Sequence, residues 1–206
     1  MICVIIAGGE CGKVHIPTDA FVIAADSGYA RCMEQGIAPH LVIGDFDSLG
    51  YVPEGKNVVT VPVRKDDTDM MLAVKAGFDR GCGEFLLYGG TGGRRLSHTM
   101  ANIQTLSYIR SRGGTGTLFF EGGYACILAA GEHRPKVYPG GYISLFALSD
   151  TAQVSLSGFA YEGDVTLERH FPLGVSNVPL ADAPLVKVHS GEVLAVAEER
   201  DGTQSR

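Results

Sequence analysis

Four short, mostly apolar runs in the first ninety residues each stop at glycine or aspartate. They are Ile2–Ala7 before Gly8-Gly9, Phe21–Ala25 before Asp26-Ser27-Gly28, Leu41–Ile43 before Gly44-Asp45, and Glu84–Tyr88 before Gly89-Gly90. Runs of this length, bounded by turn residues, read as strands buried on both faces. Asn57–Val63 and Thr117–Phe120 read as two more strands, with Pro62 marking an end or an edge. Helical patterns lie between them. Ser27–Gln35 stops at Gly36. A helix capped by Asp66 or Asp67 runs through Arg80, with Met71, Val74, Lys75 and Phe78 at helical spacing, and Asp66 and Asp69 stand at capping-box spacing. His98–Arg110 is preceded by Ser97 as its cap and carries Met100, Ile103 and Leu106 as its buried stripe. Strands alternating with helices call for a parallel sheet with crossovers.

After about Glu121 the texture changes. Short alternating runs separated by turn residues replace the helix pattern: Tyr142–Leu148, Gln153–Leu156, Asp164–Leu167, Leu185–His189 and Glu192–Ala197. Such spacing marks a small antiparallel sandwich or barrel. The expected fold is therefore α/β: an N-terminal parallel-sheet α/β domain over 1–125, then a smaller antiparallel β-sandwich domain over 126–206. The polar tail 201–206 reads as a frayed end.

Composition narrows the function classes. A formal net charge of −6 and the lack of any Lys/Arg run argue against a nucleic-acid partner. No apolar stretch approaches the roughly 20 residues of a membrane span. The five cysteines are scattered, without a Cys-x-x-Cys pair, which fits reduced thiols in the cytoplasm better than disulfides or structural zinc.

The chemistry concentrates in three places. In Gly44-Asp45-Phe46-Asp47-Ser48, alternation along an extended chain would turn Asp45 and Asp47 to one side. Two carboxylates ~4 Å apart repel by roughly 4 kcal/mol at an effective dielectric near 20, and a divalent cation between them reverses the sign. Hard oxygen donors beside a phosphate suit Mg²⁺. A second acidic cluster, Lys65-Asp66-Asp67-Thr68-Asp69, follows some twenty residues later. The third place is Gly89-Gly90-Thr91-Gly92-Gly93-Arg94-Arg95-Leu96-Ser97-His98: four glycines, two arginines and a helix start, suited to an anion. It lacks the Gly-Lys-Ser/Thr ending of a Walker A loop.

In this order, with Asn102 after the glycine-rich loop, and with Leu156–Tyr161 and Gly174-Val175-Ser176-Asn177 in the second half, the residues resemble bacterial thiamine pyrophosphokinase (thiamine diphosphokinase). The resemblance implies a homodimer with sites between subunits, and transfer of the pyrophosphate of ATP to the hydroxyl of thiamine with release of AMP. It implies that Asp45, Asp47 and Asp69 hold Mg²⁺ and the triphosphate, with Asp47 or Asp69 accepting the hydroxyl proton. Asp26, Asp66, Gly92, Gly93, Arg95, His98 and Asn102 would contact ATP. Tyr161, Ser176 and Asn177 would contact thiamine. Ser97 departs from the family, which usually has Asp there. Two other readings share these motifs: a pyrophosphokinase acting on a pterin-like alcohol, and a vitamin- or nucleotide-binding protein with little catalysis.

Overall fold

The computed structural model describes residues 1–92 and 95–200; Gly93, Arg94 and the tail expected to fray lie outside the described residues. The chain divides after Glu121 into two compact units.

Among its described residues the first unit holds six strands and three helices: β1 (Ile2–Ile6), β2 (Phe21–Ala25), α1 (Gly28–Glu34), β3 (Leu41–Gly44), β4 (Val58–Thr60), α2 (Asp69–Asp79), β5 (Glu84–Tyr88), α3 (Leu96–Ser111) and β6 (Thr115–Phe120). The strands lie in the order β6-β5-β1-β2-β3-β4 and pair parallel throughout. Helices cross between β2 and β3, β4 and β5, and β5 and β6, whereas β1–β2 and β3–β4 are joined without one. The order turns around at β1 and β5: β1 leads to β2 on one side, β5 to β6 on the other. In an open α/β sheet, ligands bind in the crevice beyond the carboxyl ends of the strands at such a switch point. Val4, Ile6, Val22, Ala24 and Val42 build the core of one face with Phe46, Tyr88 and Cys32.

Two helices sit differently from the expected pattern. Thr68, not Asp66 or Asp67, caps α2: its hydroxyl oxygen accepts the Met71 backbone N–H at 3.2 Å. Asp67 is drawn to Lys75 at 2.6 Å instead. The buried face of α2 is Met70, Ala73, Val74 and Gly77, rather than the face of Met71, Lys75 and Phe78. Gly77 explains the rotation, because a side chain there would meet the Phe85 ring at 2.6 Å; glycine lets the helix rest on β5. Helix α3 begins at Leu96 with Arg95 before it, so Ser97 lies inside the first turn and does not cap. Its inward residues are Asn102, Thr105, Leu106 and Ile109, while Met100 is 53% exposed. The cause is Asn102, whose side-chain amide donates to the Gly90 carbonyl at 2.6 Å. With Asn102 turned inward, Met100 sits two residues away, on the far side of the helix.

Among its described residues the second unit holds eight strands: β7 (Gly123–Leu128), β8 (Gly131–His133), β9 (Tyr142–Ala147), β10 (Thr151–Ser157), β11 (Gly163–Glu168), β12 (Gly174–Asn177), β13 (Leu185–Ser190) and β14 (Val193–Glu198). They make two antiparallel arrays, β12-β9-β14-β7 and β11-β10-β13-β8. Alternate residues are buried, Ala152 and Val154 on β10 and Val186 and Val188 on β13, as expected of sheets with one covered face. Strands β7, β8 and β12 were not anticipated. β8 is three residues long and the β9–β12 register is irregular, so neither shows a run of period two.

All five cysteines are free. Burial pushes the Cys32 thiol up to about 12 and that of Cys126 up to about 11, so neither is a thiolate near neutrality. Among the described residues no helix is long and apolar enough to cross a membrane.

Candidate active site

Strand β3 ends at Gly44, and a side chain there would lie 2.8 Å from the Asp26 Cα. The bare glycine lets the end of β2 approach, and the Asp26 N–H donates to the Ile43 carbonyl at 2.8 Å. Asp26 then turns into the left-handed region at φ 49°, as does Phe46 at φ 60°. Such positions in non-glycine residues persist where the surroundings hold them. The Phe46 ring, 3% exposed, supplies that hold by burying itself in the core. Asp45 and Asp47 therefore flank a turn, not a strand. The Asp47 N–H donates to Asp45 Oδ1 at 3.3 Å, and the Ser48 hydroxyl to Asp47 Oδ1 at 2.9 Å. The extended-chain alternation expected here is replaced, yet the two acids still converge. One carboxylate oxygen from each of Asp26, Asp45 and Asp47 lies within 4.8 Å of the others.

Lys65, just before α2, reaches into this group. Its ammonium lies 2.5 Å from Asp45 Oδ2 and 3.0 Å from Asp69 Oδ1. The hydrogen bond from Lys65 holds the Asp45 carboxyl below its ordinary range. Burial pushes Asp69 up, against the pull of Lys65. Burial also works to lower Lys65, but the bonds to Asp45 and Asp69 outweigh it and leave the ammonium above its ordinary value. Neither Lys65 nor Asp26 was assigned a place in this metal-ready group from sequence. The signal for Lys65 was its i,i+4 spacing from Asp69.

The opposite rim is backbone. The Ala7 N–H donates to the Tyr88 carbonyl at 2.9 Å and the Gly9 N–H to the Gly89 carbonyl at 3.0 Å, tying the turns after β1 and β5 together. A side chain on Gly9 would stand 2.5 Å from that Gly89 oxygen. Gly92, Arg95 and His98 continue this rim, and Gly93 lies outside the described residues. Asn102 is buried behind it.

The two rims enclose a cavity of about 630 Å³, the size of a small-molecule site. Asp26, Asp45, Asp47, Asp69, Gly92, Arg95, His98 and Asn102 all line it. Asp66 does not; it is exposed. Tyr161, Ser176 and Asn177 form a separate group in the second unit. The Asn177 amide accepts the Tyr161 N–H at 3.1 Å and donates to the Tyr161 carbonyl at 2.8 Å. Ser176, at φ 58°, donates its N–H to Ser144 Oγ at 3.0 Å. Tyr161 itself is 77% exposed.

A parallel sheet with glycine turns and a carboxylate cluster at its switch point defines an α/β ligand-binding domain. Residues 15–115, just under half of the chain, match the family model described as thiamin pyrophosphokinase, catalytic domain. Solved structures agree in fold. The thiamine pyrophosphokinase of Bacillus subtilis is 22% identical, with a TM-score of 0.84 over 96% of this chain and 99% of its own. That of Geobacillus thermodenitrificans is 23% identical, with a TM-score of 0.83 over 98% and 99%. The Candida albicans thiamin pyrophosphokinase is 14% identical, with a TM-score of 0.77 over 96% and 89%. A comparison with curated proteins found no significant match.

Proposed function

We propose that this protein is a thiamine pyrophosphokinase that transfers the pyrophosphate of ATP to the hydroxyl of thiamine, giving thiamine diphosphate and AMP. The observation that carries this reading is the facing of two rims across one cavity: three convergent carboxylates on one side, paired glycine turns with Arg95 on the other. The family match of residues 15–115 favours thiamine over a pterin-like acceptor.

The donor set fits a hard divalent cation. Asp26 Oδ1 is buried and accepts no hydrogen bond from any described residue, a costly state for a carboxylate oxygen that a cation would relieve. Asp26, Asp45 and Asp47 would hold Mg²⁺, which would supply positive charge to offset that of the phosphate oxygens. Asp69 stands beside them with Lys65. Backbone of the glycine turns, left uncovered by side chains, and the Arg95 guanidinium would receive the triphosphate. Phosphoryl chemistry of this type rests on positioning and electrostatics more than on a reactive side chain. Asp47 and Asp69 are the carboxylates placed to take the thiamine hydroxyl proton. Asn102, with its amide committed to Gly90, shapes the nucleotide rim from behind. In the second unit Tyr161 offers an aromatic face for thiamine's fixed positive charge. Asn177 holds the main chain that presents it, and Ser176 stands beside it on β12. The enzyme works in the cytoplasm as a homodimer with sites between subunits. The exposed Tyr161, Phe171, Leu173 and Leu180 of the second unit support an association surface.

The test is direct. Purified protein is incubated with ATP, Mg²⁺ and thiamine, and products are separated by chromatography. AMP appearing in step with thiamine diphosphate, and only with thiamine present, is the expected result. ADP would mean single phosphoryl transfer and a different mechanism. Thiamine binding without turnover would favour a binding protein.

A further inference from the structure

We infer that Lys65 is a positioning residue that serves as the site's own counter-ion: it occupies Asp45 until a triphosphate draws it off, and so couples the binding of divalent metal to that of nucleotide. The inference rests on the pyrophosphokinase reading.

Both oxygens of Asp45 are engaged. Oδ1 accepts the Asp47 N–H at 3.3 Å and Oδ2 the Lys65 ammonium at 2.5 Å. The same ammonium stands 3.0 Å from Asp69 Oδ1. The contact is sheltered, with 14% of the Lys65 side chain and 9% of that of Asp45 exposed. Screening by solvent is weak there, and an ammonium and a divalent ion on one carboxylate repel strongly. A divalent cation arriving alone meets Asp26 Oδ1 open but Asp45 already neutralised. Among the described residues lining the cavity, Lys65 and Arg95 are the cationic side chains. A triphosphate presents oxygens that an ammonium on a flexible four-carbon stem can reach by rotation. When Nζ moves to those oxygens, Asp45 Oδ2 is released to the metal. Each ligand then raises the affinity of the other by the same factor, as linkage requires.

The experiment measures binding, not turnover. Mn²⁺ is titrated into the nucleotide-free full chain and followed by the electron paramagnetic resonance signal of the free ion, for wild type, Lys65→Met and Lys65→Arg. Lys65→Met should bind Mn²⁺ about tenfold more tightly than wild type, and Lys65→Arg should resemble wild type. With the non-transferable α,β-methylene analogue of ATP present, the gain in Mn²⁺ affinity should be smaller in Lys65→Met than in wild type. Equal or weaker Mn²⁺ binding by nucleotide-free Lys65→Met overturns the proposal. Lys65→Gln, equally neutral and more polar, carries the same test should the methionine variant misfold. Coupling of this kind without AMP formation from ATP and thiamine would defeat the proposed reaction and leave the role of Lys65 standing. AMP formation without the coupling would defeat the role of Lys65 alone.

Discussion

The two rims of the cavity are built from opposite materials. Beyond β2 and β3, and at the start of α2, the working atoms belong to side chains: Asp26, Asp45, Asp47 and Asp69 with Lys65. Beyond β1 and β5 the rim is mainly main chain, drawn close by glycines that leave no room for a Cβ. The difference suits the charges that the proposed reaction would bring, a cation on one side and a triphosphate on the other. A cation needs carboxylates, whose spacing the backbone turns at Asp26 and Phe46 set. A phosphate is served by N–H groups that every residue carries, provided nothing stands in front of them. The first rim should therefore fail when a functional group is removed, and the second when volume is added.

The largest effect is expected on the side-chain rim. Asp47→Asn should lower kcat on the order of 10³-fold with the melting temperature nearly unchanged, because Asp47 is exposed on a turn and supports no core. Steady-state rates of AMP release beside a thermal melt check this. Near-normal turnover would remove Asp47 from the metal-holding set. Asp69→Asn in the same assay, read as a pH profile of kcat, tests the second candidate proposed for the hydroxyl proton.

Gly9→Ala tests the backbone rim by addition. The new methyl carbon would stand 2.5 Å from the Gly89 carbonyl oxygen, and main-chain atoms lie behind it. The turns must separate, which should destabilise the protein by about 1–3 kcal/mol and raise KM for ATP. Denaturant unfolding and substrate titration measure the two together. If both stay unchanged, the close pairing of the two glycine turns is not what shapes this rim.

Asn102→Ala sits between the two cases, since a side chain here supports a backbone rim. It leaves the Gly90 carbonyl without the 2.6 Å bond and should cost about 1–3 kcal/mol. KM for ATP should rise several-fold with kcat nearly preserved. A large fall in kcat instead would place Asn102 in direct contact with the reacting phosphates.

How much of this was legible depended on whether the signal was local. The strands ending in glycine or aspartate carried their own boundaries, and β1, β2, β3 and β5 lie where the apolar runs predict. The acids of the site stand near such boundaries, so Asp45, Asp47 and Asp69 were visible as candidates. What could not be read were choices made by tertiary partners. Asn102 turns α3 by finding Gly90, Gly77 turns α2 by making room for Phe85, and Thr68 caps because Lys75 takes Asp67. Asp26 joins Asp45 and Asp47 only because Gly44 lets the end of β2 approach. None of these has a period or a spacing to betray it. β12 was hidden for a related reason: its register shifts between Gly174 and Asn177 where Ser176 turns left-handed, so no alternation marks it as a strand.

Ser97→Asp puts a carboxylate on the backbone rim, the smallest change expected and the finest test of the contrast. Ser97 is exposed in the first turn of α3, which has no acidic residue there and no side-chain cap from Arg95. An aspartate at that position meets the unpaired N–H groups of the helix start and should stabilise the protein by about 0.3–1 kcal/mol. Activity should hold or rise by a few-fold if the serine marks a lost acid that the metal or substrate would use. A sharp fall would show that the added charge repels the phosphates and that this rim has been rebuilt around serine. The two outcomes separate cleanly in a comparison of KM for ATP with the melting temperature. Stabilisation with unchanged KM fits an acid accommodated at the helix start, whereas stabilisation with a raised KM means the carboxylate has taken N–H groups that the triphosphate needs.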